Sequence, residues 1–132
     1  MRTKNHSNET NNYKKQAITF LKLIASGEVE EAYQRYVSPD FLHHNAHFQG
    51  DADSLKFAMK ENAVANPNKV LETKLAIQEE EMVTVYSHVK QNPEDLGVAV
   101  VHIFRFHEGK IIELWDLGQP IPEDSPNENG MF

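Results

Sequence analysis

The chain carries seven histidines, an aspartate at the end of an apolar run, and no cysteine. Its chemistry therefore rests on imidazole, carboxylate and amide groups. Thiolate catalysis, disulfides, cysteine-based zinc sites and iron–sulfur clusters are excluded. Asp116 follows Ile111, Ile112, Leu114 and Trp115. A carboxylate in such surroundings is desolvated, its pKa rises, and it becomes an effective base near neutral pH. The competing reading is an Asp in the loop after a strand, capping backbone N–H groups. His44 and Asn45 stand in a polar stretch where either side chain can hydrogen-bond a substrate oxygen or simply decorate a surface loop. His88 and His102 fall in strand-like segments, where a lone histidine more often satisfies a core or edge position. His43 and His47 have the four-residue spacing of a helical metal pair. The glutamate of a zinc-protease helix is missing, and Pro39 and Asn45 argue against a helix there, so no metal site is predicted. There is no glycine-rich phosphate loop and no recognisable Ser-His-Asp order.

The elements that must position these groups follow from periodicity. Residues 1–12 have no aliphatic side chain beyond Met1 and read as a polar, disordered leader without the apolar core of a signal peptide. Tyr13, Ala17, Phe20, Leu21 and Ile24 share a helical face, which Ser26-Gly27 ends. Val29, Ala32, Tyr33 and Tyr36 mark a second helix, stopped by Pro39. Residues 40–50 show no sustained period and read as irregular or briefly extended. A third helix spans about Ala52 to Ala65, capped by Asp51 or Asp53, with Leu55, Ala58, Met59 and Ala63 as its apolar stripe. Beyond Asn66-Pro67-Asn68 the period becomes two. Leu71, Thr73, Leu75 and Ile77 share a face, Glu79–Glu81 form a turn, and Met82–Lys90 is a second strand. Val98–His107 is apolar on nearly every residue and reads as covered on both faces. Glu108-Gly109 turns the chain into a last strand, Lys110–Leu117. The tail, residues 118–132, reads as extended, and its apolar end, Met131-Phe132, as docked on the domain or on a partner subunit.

Register decides whether the candidate groups meet. In a regular two-residue hairpin His107 pairs with Lys110, which sets His102 opposite Trp115 and Val101 opposite Asp116. His102 and Asp116 then point to opposite faces. They share a face only if a bulge or a longer hairpin loop shifts the register by one.

Helices grouped before a four-stranded antiparallel meander imply an α+β layer, with helices on one face of the sheet. At 132 residues this is one domain. A formal charge of −7 removes the basic footprint of a nucleic-acid binder. No run of twenty apolar residues is present to span a membrane, and a cytoplasmic location is the expectation.

Phe41-Leu42-His43-His44-Asn45, Gly50 before a helix, and Phe104 through Asp116 resemble the SnoaL-like family of the nuclear transport factor 2-like superfamily. So does the ending Gln119-Pro120 with Asn129-Gly130-Met131-Phe132. The resemblance covers roughly residues 13–132. It implies a curved antiparallel sheet with about three N-terminal helices closing a cone-shaped pocket. It also implies a homodimer packed through the open sheet face with Trp115 near that surface. In the family's polyketide cyclases the aspartate resembling Asp116 is an acid/base that starts an aldol ring closure, without metal or organic cofactor. His44 matches the His-Asn motif and is implied as a catalytic partner, with Asn45, His88, His102 and Trp115 as ligand-binding positions. The chain departs from the pattern at Leu114, where many relatives have His, and at Ala46, where many have Pro.

The expected function is binding of a small, largely apolar, carbonyl-bearing molecule, with cofactor-independent acid/base chemistry by Asp116. The alternatives are a non-catalytic binding module, which the apolar Leu114 favours, and a histidine-based metal enzyme.

Overall fold

The computed structural model describes residues 12–132, so the expected leader lies outside the described residues except for Asn12. Three helices, α1 (Tyr13–Ala25), α2 (Val29–Tyr36) and α3 (Ala52–Ala65), accompany five strands. These are β1 (Val37–His43), β2 (Val70–Glu79), β3 (Met82–Lys90), β4 (Val98–His107) and β5 (Lys110–Pro120). They form one sheet in the order β1-β5-β4-β3-β2. The four-stranded meander is present, but the sheet is mixed and has a fifth strand. Residues 37–43, in the stretch after the second helix, pair with β5 in parallel. The sequence hides β1 because Pro39 and Asp40 interrupt any alternation, and the strand is shaped by its partner rather than by its own pattern. Among the described residues no helix is long and apolar enough to cross a membrane.

The helices obey their apolar spacing. Tyr13, Ala17, Phe20 and Leu21 of α1 and Val29, Ala32 and Tyr33 of α2 are buried. They pack on Val83, Val85, Phe104, Phe106, Ile111 and Leu114 of the sheet. Tyr13 stacks on Phe106 with ring centroids 4.3 Å apart, and its hydroxyl accepts from the Gly109 N–H. That bond ties the β4–β5 turn to α1. The turn itself needs positive φ at Glu108 and Gly109, 48° and 83°, the type I′ geometry that matches strand twist. Asp51 caps α3, accepting from the Ser54 N–H and hydroxyl. Only Leu55 of the α3 stripe is fully buried, and Ala58 and Met59 border a cavity.

Bulges decide which way two strands face. In β2 a bulge between Thr73 and Leu75 breaks the predicted common face. Leu71 and Ala76 pack on the core, while Leu75 and Ile77 turn outward and are 61% and 65% exposed. β4 also departs from expectation. Phe104 and Phe106 are buried by helices, but Val101 and Ile103 lie on the opposite face and remain half-exposed in the single chain. The tail continues β5 to Pro120 and then turns back. Its Phe132 ring rests on Tyr86 and His88, and Tyr86 donates its hydroxyl to the Met131 carbonyl.

Candidate functional site

The β4–β5 hairpin starts in the regular register, His107 opposite Lys110 and Phe106 opposite Ile111. Between Arg105 and Phe106 the register then shifts, and Arg105 opposes Glu113. Ile112 is the extra residue. From there on every partner is displaced by one, so His102 faces Asp116 and Ile103 faces Trp115. The bulge is the shift required to bring imidazole and carboxylate onto one face.

His102 and Asp116 both line a cavity of about 340 Å³ between the sheet, α1 and α3. Its walls are mostly apolar, with Leu21, Ile24, Leu55, Met59, Leu71 and Val100 among them. Asn45 joins the two from the loop after β1 and donates from Nδ2 to Asp116 Oδ2 at 3.2 Å. The Asn45 amide is itself held, because its Oδ1 accepts from the His47 N–H at 2.9 Å. The loop is pinned in turn by His43, which is buried. Its Nε2–H donates to the Gln49 carbonyl and its Nδ1 accepts from the Asn45 N–H at 3.0 Å. Both ring nitrogens are thereby used, which fixes the tautomer. Among the described residues no group of three or more His, Cys, Asp or Glu side chains is gathered in a way that could hold a metal ion.

His102 Nδ1 is sealed from solvent and has no hydrogen-bond partner among the described residues. Burial pushes the His102 pKa well below its ordinary value, against the attraction of Asp116 for the charged form. The imidazole is therefore neutral at neutral pH. The unfolded chain, by contrast, takes up this proton near the ordinary imidazole value of about 6.5. As pH falls below that, the unfolded state binds the proton first. His102 thus costs no stability above about pH 6.5, and stability drops on acidification by up to about 1.4 kcal/mol per pH unit. We expect the His102 ring resonances to stay unmoved between pH 8 and 6 by NMR. A titration midpoint at or above 6.5 would contradict the buried, neutral imidazole.

The remaining candidates are placed elsewhere. His44 lies outside the main cavity, stacked on Trp115 with centroids 4.9 Å apart and bonded through Nε2 to Glu113 Oε2 at 2.7 Å. That contact, with help from Arg105, holds the Glu113 carboxyl below the usual range. Trp115 is on the outer face of the sheet, opposite Ile103 and beneath the Arg105 guanidinium. His44 approaches Asp116 only across a second cleft of about 390 Å³ at the β5 edge beyond the end of β1. His88 is also on the outer face, against Phe132 and the Leu96 carbonyl. Strand alternation is the reason: Ser87 and Val89 point inward, so His88 cannot. Leu114 is inward but sealed in the core, 1% exposed, and adds nothing to the cavity wall. Tyr33 is a core residue, as its helical spacing implies. Burial, then the nearby Asp116 charge, pushes its phenol pKa up. The sequence alone does not mark the positioning role of His43 or the polar residues Asn62, Lys69 and Gln91, which also line the cavity. No periodic signal marks those three, because they sit at element ends.

Helices laid on one face of a bent, open sheet, with a cavity between the two layers, define a nuclear transport factor 2-like fold. The sequence matches the family of SnoaL-like polyketide cyclases over residues 15–122, and the chain belongs to that family. Among solved structures it is similar to AclR from Streptomyces galilaeus, at 20% identity and a TM-score of 0.71 over 84% of this chain and 81% of that one. It is also similar to a nuclear transport factor 2-like protein of unknown function from Cytophaga hutchinsonii, at 12% identity and a TM-score of 0.65 over 80% and 88%. A cystatin-fold protein from Novosphingobium aromaticivorans matches at 18% identity and a TM-score of 0.65 over 78% and 95%. No curated protein matches the chain. At these identities the structural neighbours speak for the fold alone.

Proposed function

We propose that the cavity binds a small, largely apolar ketone and that Asp116 removes a proton from carbon next to the carbonyl. The observation that carries this reading is the His102–Asp116 pair, brought onto the cavity face by the Ile112 bulge. The C–H bond breaks, the proton goes to the Asp116 carboxylate, and the electron pair moves into an enolate. The neutral His102 ring donates an N–H to the enolate oxygen. Asn45 orients the carboxylate through its bond to Oδ2. The enolate carbon then attacks a second carbonyl of the same molecule, whose oxygen takes up the proton, or is reprotonated elsewhere. The first outcome is aldol cyclisation and the second isomerisation. Neither draws on a metal or an organic cofactor. His44 stays a candidate for the rim of the second cleft rather than for the enolate.

The test follows deuterium from solvent into the α-carbon of aryl ketones and 1,3-diketones by proton NMR. Exchange above the buffer rate is expected. A ligand that binds in the cavity but exchanges no faster than in buffer would favour the non-catalytic binding module, a reading the mostly apolar walls also suit.

The outer sheet face supports a homodimer. Leu75, Ile77 and Leu117 are exposed there beside half-exposed Val101, Ile103 and Trp115, and monomers rarely leave such a contiguous apolar patch to water. Ile77→Glu places a charge in that face and is expected to convert dimer to monomer in sedimentation velocity. A wild-type chain that sediments as a monomer at tens of micromolar would refute the assembly.

A further inference from the structure

The polar end of the cavity away from Asp116 has not been used by the proposed chemistry. Lys69 follows the turn after α3, is half-buried, and lines the cavity. Among the described residues its ammonium forms no ion pair with a carboxylate and donates only to Asn62 Oδ1. Gln91, one residue past β3, lines the same end. Its backbone N–H is held by Asp95 at 3.0 Å, while its side-chain Oε1 is buried without a partner. A cation without a counter-charge and an amide oxygen without a donor thus line the same cavity. Both arrangements are costly in an apolar cavity unless something arrives to complete them. Strand pairing sets this end well apart from the acid/base pair, because His102 opposes Val85 while Gln91 stands six residues further along the β3 chain.

We infer that Lys69, Asn62 and Gln91 form a subsite for a single carboxylate, so that the cavity takes an elongated apolar keto acid with its charge at the Lys69 end. The inference rests on the proposed ketone chemistry only for the ketone end of the ligand. A lone ammonium matches a monoanion. The Gln91 amide, turned about its own axis, offers N–H to a carboxylate oxygen, and the apolar walls between the two ends accept the hydrocarbon. Burial also lowers the Lys69 pKa, a cost that a bound carboxylate relieves.

The probe pair is 7-benzoylheptanoate and its methyl ester, which share the ketone, differ in the charge, and hold six methylenes between the two ends. Isothermal titration calorimetry on the wild-type protein is expected to give about ten- to hundredfold tighter binding of the acid, the range of one charge-assisted hydrogen bond. In Lys69→Met the ratio falls to about one while the ester binds as before, and the melting temperature holds. Lys69→Gln keeps a polar contact to Asn62 and serves if the Met variant fails to fold; it too loses the preference. Asp116→Asn keeps the full preference for the acid. Equal binding of acid and ester by the wild type, no binding of either, or a preference that survives loss of Lys69 would overturn the subsite. Acid-selective binding without deuterium exchange would leave the subsite standing and remove the acid/base reading.

Discussion

Asp116→Asn is expected to lower solvent-deuterium exchange into a bound ketone by about 10²–10⁴-fold, the usual contribution of a positioned general base. The change is nearly isosteric. The amide oxygen of the new residue still accepts from Asn45 Nδ2, so the loop after β1 keeps its contact with β5. What is lost is the negative oxygen that receives the proton. Far-ultraviolet circular dichroism and the melting temperature are therefore expected to change little, and the affinity for the ketone to stay within a few-fold. A variant that exchanges at the wild-type rate would move the base elsewhere in the cavity, with the neutral imidazole of His102 as the next group to test. A variant that loses both exchange and ligand affinity would make Asp116 a binding group.

Phe104→Ala is expected to remove about 3–5 kcal/mol of stability. Phe104 is fully buried and lies at the meeting point of sheet and helices. Its ring meets Phe20 edge-on at 6.0 Å, lies 6.2 Å from Phe106, and stacks on His102 at 6.1 Å. The truncated side chain would leave a cavity walled by aromatic rings that cannot collapse into it without moving α1. A domain of this size holds only about 5–15 kcal/mol in all, so the variant should melt roughly 10–15 °C lower. Phe57 on α3 is 62% exposed and provides the comparison. Phe57→Ala should stay within about 0.5 kcal/mol. Urea unfolding of both variants decides the matter. A loss below 1 kcal/mol at Phe104 would mean that helices and sheet are not packed at that point.

Most of the architecture was legible because local chemistry and tertiary contacts agree. Apolar spacing of three and four set the helix faces of α1 and α2, and Gly27 and Pro39 bounded them. Asp51 capped α3 where the pattern placed a cap, and Glu108-Gly109 turned the hairpin. Asp116 was legible as a candidate because a lone carboxylate in an apolar strand stands out against its neighbours.

Other features were decided only by tertiary structure. β1 exists because β5 offers it an edge, not because Val37–His43 alternates. The bulge at Ile112 has no signature in composition, since Ile111 and Ile112 are the same residue type and either fits a strand. Yet that single extra residue determines that His102 faces Asp116 rather than Trp115. The same arithmetic at Lys74 sends Leu75 and Ile77 outward. Side-chain direction in a strand has a period of two, so one inserted residue reverses every assignment beyond it. Sequence therefore determined which groups were available for chemistry, and the packing of a bent sheet under its helices decided which of them share a cavity. His44, His88 and Trp115 fell to the outer side by that rule. His43, Lys69 and Gln91 gained their roles from neighbours distant in the chain.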